Sequence, residues 1–210
     1  MSELSIHPLG EAALCCTLPA PVSLEQQQRI WQLAAALGGV DSVQELIPGM
    51  NNLTLVFDPL HSEAAELEAA ARQLWDQPPR RRALGRLVQI PVTYDGPDLA
   101  DIANHCELST DEVVQRHAAS EYVVYFLGFQ PGFAYLGGLD ESLHTPRRAE
   151  PRTSVPAGSV GIGGAQTGIY PLATPGGWQL IGRTSLPLFN PHALPPTVLA
   201  PGDRVRFVPA

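Results

Sequence analysis

The chain has 210 residues, 44% of them hydrophobic, and a formal net charge of −8 at pH 7. That length suits one large domain or two small ones, and the acidity excludes the positive footprint that nucleic acid or an anionic membrane surface requires. Every basic residue is arginine, which removes the P-loop lysine and the Schiff-base lysine and leaves guanidinium or backbone N–H groups to meet any phosphate or carboxylate.

The amino terminus, residues 1–9, has neither a basic leader nor a long apolar run, so neither secretion nor a membrane span is expected. Three cysteines, Cys15, Cys16 and Cys106, form an odd set without CxxC spacing and fit strand packing in a reducing cytoplasm. Residues 3–9 and 12–18 predict a strand pair around Gly10. Ser23 and Gln26 have the spacing of a capping box, and Ile30, Leu33, Ala34 and Leu37 follow at helical intervals toward an expected left-handed stop at Gly38-Gly39. Residues 43–47 and 52–57 predict a hairpin about Pro48-Gly49. A second helix is expected over 62–75, ended by Pro78-Pro79, and a strand over 86–93. The resulting β-α-β-β-α-β order predicts a ferredoxin-like α+β domain with one extra amino-terminal hairpin. Arg80-Arg81-Arg82, after two prolines, reads as a solvated junction rather than a nucleic-acid patch.

From Pro91 the composition changes. Short helices are expected over 98–105 and 110–119, the latter opened by a Ser109/Glu112 capping box. A strong strand at 122–127 follows, and then strands of four to six residues punctuated by Gly and Pro, as in a small β-barrel or sandwich. Pro201-Gly202 turns the chain into a last alternating strand. The organisation expected is an α+β ferredoxin-like domain over 1–85 and a mainly β domain over 86–210.

Glycine-rich Ala157-Gly158-Ser159-Val160-Gly161 fails both nucleotide-loop tests, because no Lys-Ser or Lys-Thr follows and no strand–turn–helix surrounds it. Ser159 lacks the spacing of a nucleophile elbow, and no histidine pair has metal-ligand spacing, so no metal is expected. Arg147, Arg148 and Arg152 fall in one proline-punctuated segment. They either grip a carboxylate or phosphate, or one or two of them brace loops or pair with Glu150 and Asp140. Gln166, Thr167 and Tyr170 add amide, hydroxyl and phenol nearby, an inventory for a small polar ligand such as a lactam, or for turn hydrogen bonds. Phe129, Phe133, Tyr135 and Trp178 read as barrel core or as an aromatic docking edge. Asp95 reads as a turn residue first and a carboxylate base second. His117 reads as a satisfied helix-face histidine, and is also the histidine to test first as a catalyst.

Six stretches in order resemble one family: Pro91-Val92-Thr93-Tyr94-Asp95-Gly96, Gly128-Phe129-Gln130-Pro131-Gly132-Phe133, the two Pro-Arg elements at 146–147 and 151–152, Val155-Pro156-Ala157-Gly158-Ser159-Val160, Thr167-Gly168-Ile169-Tyr170-Pro171 and Pro175-Gly176-Gly177-Trp178. It is the PxpB family, the B component of 5-oxoprolinase, also called allophanate hydrolase subunit 1 or KipI-like. The resemblance implies a carboxy-terminal cyclophilin-like barrel and a similarly folded partner, the KipA-like C component of 5-oxoprolinase. It also implies a third protein, the A component, and ATP-dependent opening of the lactam 5-oxoproline to glutamate by the set. On that expectation the ATP site is at or near the complex with the KipA-like partner, Arg147, Arg148, Arg152, Gln166 and Thr167 bind substrate, and His117 and Tyr170 are catalytic. The alternatives are a KipI-type inhibitor of a sensor histidine kinase and a subunit of an allophanate- or urea-type amide hydrolase.

Overall fold

The computed structural model describes residues 3–78 and 85–210. The arginine run at 80–82 lies outside the described residues. The chain divides into two compact units, Met1–Ala83 and Leu84–Ala210.

In the first unit, strands β1 (Ser5–Pro8), β2 (Ala13–Thr17), β3 (Val43–Gly49) and β4 (Asn52–Phe57) form an antiparallel sheet in the order β1-β2-β4-β3. Helices α1 (Leu24–Leu37) and α2 (Ala64–Trp75) supply the other layer. Period-2 alternation puts Leu14, Cys16, Leu53, Leu55 and Phe57 in one buried cluster with Ile30, Leu33, Leu37, Leu67 and Ala71. Burial pushes the Cys16 thiol up to about 11, so it packs as a small apolar group.

Three local expectations are corrected. The α1 N-cap is Ser23, whose Oγ accepts from Gln26 N, but α1 leaves through Gly38 in the right-handed region (φ −63°, ψ −12°) rather than a left-handed stop. Tightened bonds from Gly39 N to Ala36 O and from Val40 N to Leu37 O close the last turn instead. The hairpin turns at Met50-Asn51, with Pro48 and Gly49 still in β3. Asn51 takes φ 59°, a conformation asparagine tolerates, and Gln27 pins it by accepting from Asn51 N and donating to Gly49 O. Finally, the strand expected to complete the amino-terminal sheet, β5 (Leu87–Val92), belongs to the second unit; β1 occupies the edge beside β2.

The second unit is built on a seven-stranded mixed sheet, in the order β12-β9-β10-β7-β6-β13-β5. Its strands are β6 (Tyr122–Leu127), β7 (Ala134–Gly137), β9 (Ser159–Gly163), β10 (Gln166–Ile169), β12 (Gln179–Arg183) and β13 (Arg204–Pro209), besides β5. Strand β13 runs parallel to β5, and every other pairing in this sheet is antiparallel. Just beyond β5, Thr93 exchanges both backbone hydrogen bonds with Arg183 of β12, each 2.9 Å, so the sheet's two edges meet and the barrel nearly closes. This near-closure shields part of the two edges that a seven-stranded sheet would otherwise expose.

Helices α3 (Leu99–His105) and α4 (Thr110–Ala119) contribute Ile102, Ala103 and Val113 to the barrel core, with Ile90, Val124, Leu136, Ile162 and Phe207. The Ser109/Glu112 capping box forms in full. A small two-stranded sheet, β8 (Arg152–Val155) with β11 (Thr174–Gly176), lies beside a separate aromatic cluster of Phe133, Tyr170 and Trp178. Gly161, Gly163 and Gly168 are the seat of the Trp178 indole. A Cβ at each would come within 3.3, 2.6 and 3.1 Å of that side chain. The glycines thus remove side chains where a large ring must lie against the sheet.

Candidate functional site

The site grows from the segment joining β5 to α3. Thr93-Tyr94-Asp95-Gly96-Pro97-Asp98 is laid along β12 by the Thr93–Arg183 pair, Gly96 N to Ile181 O (3.2 Å) and Asp98 N to Leu180 O (3.0 Å). A Cβ on Gly96 would sit 2.3 Å from the Ile181 carbonyl carbon, and one on Gly182 2.6 Å from Thr93 O. Only glycine permits this approach. Gly96→Ala should therefore destabilise the second unit by about 1–3 kcal/mol, seen as a lower urea midpoint; an unchanged midpoint would contradict the contact.

Asp98 is the anchor beneath. Its carboxylate, 2% exposed, accepts from Arg148 Nη1 (3.0 Å) and Arg152 Nη2 (2.6 Å) on one oxygen and from Leu180 N (2.6 Å) on the other. A buried carboxylate is tolerable only when paired and hydrogen-bonded in this way. Of the three arginines singled out from sequence, Arg148 and Arg152 pair with Asp98 rather than with the Glu150 or Asp140 side chains.

Above this anchor lies a cleft of about 320 Å³. Its polar lining is Asp95, Arg152, Ser154, Ser159 and Arg183, and Pro97, Pro156 and Leu180 are among its apolar walls. A second cleft of about 360 Å³, lined by Thr93, Thr184, Ser185 and Ala210, shares Ala157 and Arg183 with the first. Arg183 is 70% exposed; its Nε donates to Asp95 Oδ2 at 2.9 Å and Oδ1 at 3.2 Å, and its Nη2 lies 2.9 Å from Oδ2 in the same ion pair. Guanidinium groups and hydroxyls around a few hundred Å³ suit a small carboxylate, amide or phosphate ligand.

The residues singled out from sequence divide among different places. Arg152 lines the first cleft. Arg148 shares Asp98 with it but lies outside the cleft lining. Arg147 is exposed, with its guanidinium carbon 5.9 Å from the centre of the Trp178 ring. Gln166 is half-buried, and its Nε2 has no partner among the described residues. Tyr170 is buried in the aromatic cluster, where burial raises its phenol and a bond from the Trp178 backbone partly offsets this.

His117 and Thr167 meet in the barrel core. Thr167 Oγ1 donates to Gly161 O (3.0 Å), so it accepts from His117 Nε2 (2.9 Å), and His117 Nδ1 then accepts from Tyr94 Oη (2.8 Å). That one-way chain assigns the neutral Nε2-protonated imidazole. The ring stacks on Phe207 at 4.5 Å and has no exposure, and burial holds its pKa down to about 3. Neither His117 nor Tyr170 lines either of these two clefts, and this environment fits His117 to holding the fold rather than moving protons.

Phe129 projects from the 128–132 loop, 60% exposed at φ 69°, edge-on to Phe133 and Tyr170. Sequence reasoning missed Asp98 and Arg183, and read Asp95 as a turn residue first and a carboxylate base second, without its arginine partner. Their pairings span 50 to 88 residues, and no local spacing announces them. Among the described residues no three His, Cys, Asp or Glu side chains gather where a metal ion could be held. No helix among them is long and apolar enough to cross a membrane.

A nearly closed β-rich unit preceded in sequence by a two-layer α/β unit is an architecture found in other proteins. Residues 4–199 match the model of the family described as carboxyltransferase domain, subdomain C and D, and the chain belongs to that family. Within it the chain is a member of the PxpB group, the B component of 5-oxoprolinase: it is 54% identical over 212 residues to the 5-oxoprolinase B protein of Escherichia coli O157:H7, covering 100% of this chain and 97% of that one. Among solved structures, the protein TTHA0988 superposes with TM-score 0.82 at 38% identity; the match takes in 94% of this chain and 40% of that longer one. The Kluyveromyces lactis urea amidolyase matches with TM-score 0.84 at 19% identity, over all of this chain and 15% of that one, a likeness of fold alone.

Proposed function

We propose that this chain is the PxpB-type subunit of an ATP-dependent 5-oxoprolinase, a hydrolase complex that opens the lactam 5-oxo-L-proline to L-glutamate. The observation that carries this reading is the 54% identity, end to end, with a protein of that name. The cleft over Asp98 supports it, since Arg152 presents a guanidinium to a space of about 320 Å³, ample for a five-membered lactam acid. In this role Arg152 receives the substrate carboxylate, Ser154 and Ser159 face the lactam, and Asp98 positions Arg152. His117, Thr167 and Tyr170 maintain the sheet that carries these groups. Arg147, on the exposed side of Trp178, and Gln166 contribute to substrate binding only where a partner protein completes the surface.

ATP supplies the driving force for opening the amide, and its site lies at or near the complex with the KipA-like C component. The C and A components of 5-oxoprolinase are the partners, and the cytoplasm is the compartment. Residues 1–85 then correspond to a ferredoxin-like α+β domain in which β1 takes the edge place of the fourth strand, and residues 86–210 to a cyclophilin-like barrel.

Reconstitution tests the reading. The chain alone should show no 5-oxoproline-dependent ATP hydrolysis and should gain it with the C and A components; an inactive trio, or robust turnover by the lone chain, would overturn it. Arg152→Ala in that trio should raise KM for 5-oxoproline about 10- to 100-fold, the worth of a charge-assisted contact of about 1.5–3 kcal/mol. Arg148→Ala is the control, because it loses the same Asp98 pairing without touching the cleft. Equal KM values for both variants would remove Arg152 from the substrate.

A further inference from the structure

Two clefts meet at one side chain. Arg183 lines both the space above Asp98 and the adjoining one bounded by Thr93, Thr184 and Ser185. A guanidinium has two edges able to grip an oxyanion through paired N–H groups. Asp95 takes the Nε/Nη2 edge of Arg183, with contacts of 2.9 Å from both nitrogens to Oδ2. Nη1 has no partner among the described residues. The backbone at this position is fixed twice over, by the mutual Thr93–Arg183 hydrogen bonds and by Gly182 packed against Thr93 O. A side chain of this kind is normally loose and solvated; here strand closure holds its root and a carboxylate holds one flank.

We propose that Arg183 is an oxyanion-binding residue, its Nη1/Nη2 end receiving a phosphate or carboxylate group of a ligand that reaches across both clefts. Asp95 is its positioning residue, and the hydroxyls of Thr93 and Ser185 provide donors on the far side. Arg152 and Arg183 thus give the first cleft two cationic contacts, enough for a ligand with one anionic group at each end or for two small ligands side by side. The identity of the ligand rests on the oxoprolinase reading, in which 5-oxoproline brings a carboxylate and ATP brings phosphate. The oxyanion site itself does not rest on it.

The test uses the full chain and three probes followed by NMR: inorganic phosphate, 5-oxoproline, and 2-pyrrolidinone, a lactam without the carboxylate. At least one of the two anions should shift the Arg183 Nε–H and Thr184 and Ser185 amide signals saturably, and 2-pyrrolidinone should leave them unmoved. Arg183→Gln should weaken that binding at least about tenfold, and Arg183→Lys should restore only part of it, because an ammonium lacks the fork. Which anion binds identifies the source of the oxyanion. No shift with either anion, or equal binding by Arg183→Gln, overturns the proposal. In the reconstituted trio, Arg183→Gln should raise KM for 5-oxoproline or ATP by a similar factor. If the trio is inactive but the anion shifts persist, the functional reading falls and the oxyanion site stands.

Discussion

Lowering the pH from 7 to 4 should cost this protein several kcal/mol through one residue, His117. Its imidazole has an ordinary pKa of 6.5 in the unfolded chain and about 3 in the core, where burial penalises the charge. Between those values the unfolded state binds the extra proton and the folded state does not, so stability falls as pH falls, by about 1.4 kcal/mol per pH unit. The contribution is complete above pH 6.5 and is lost progressively down to about pH 3. The cumulative loss is on the order of 4–5 kcal/mol, comparable with the whole stability of many domains. Carboxylates also titrate over this range, so the measurement is the difference between the natural chain and His117→Gln. Glutamine preserves a donor for Thr167 and an acceptor for Tyr94 but cannot take up the proton. Urea midpoints of the two proteins should converge on acidification. Imidazole nitrogen shifts give an independent readout: at pH 5 the ring should remain neutral and protonated on Nε2. An imidazolium spectrum at pH 5, or parallel pH profiles for the two proteins, would contradict the buried chain from Tyr94 to Gly161.

The elements of this fold were largely legible because their signals are local. Apolar spacing marks α1 and α2, the Ser23 and Ser109 caps of α1 and α4 lie within three residues of their partners, and β6 is a continuous apolar run. Where the reading slipped, a longer-range interaction decided. Strand β5 looks like the natural end of the first unit in sequence, yet it pairs in parallel with β13, more than 110 residues later. Pro48-Gly49 is a strong turn signal, but Gln27 holds the following Asn51 in the left-handed conformation and moves the turn two residues on. The candidate site was legible in part. Arg148 and Arg152 stand out by composition and alternation with proline; their shared partner does not. Asp98 directly precedes α3 and so resembles an N-cap, yet its side chain makes no cap bond. Its carboxylate turns to groups brought near only when the barrel closes.

That geometry makes Asp98 the position where a single substitution should do most damage to the second unit. Three donors converge on it: the guanidinium groups of Arg148 and Arg152, and the Leu180 amide. Asp98→Ala leaves a buried amide without an acceptor and two cations facing each other across a void. Removing one partner of a buried ion pair typically costs about 3–5 kcal/mol, mostly because the other charge remains uncompensated. Asp98→Asn retains an oxygen for one donor but points an amide N–H₂ at another and removes the charge, so its cost should be smaller and still above about 1 kcal/mol. The loss should be concentrated around β12, where hydrogen exchange at Leu180 and the neighbouring Ile181 should accelerate more than in β3 or β4 of the first unit. Arg148→Ala should soften the effect of Asp98→Ala when the two are combined, since one of the stranded cations is then gone. Strict additivity of those two substitutions, or unchanged exchange along β12, would show that the carboxylate does not tie the 146–152 segment to the barrel wall. The cleft would then lose its fixed floor, and Arg152 its assigned position above it.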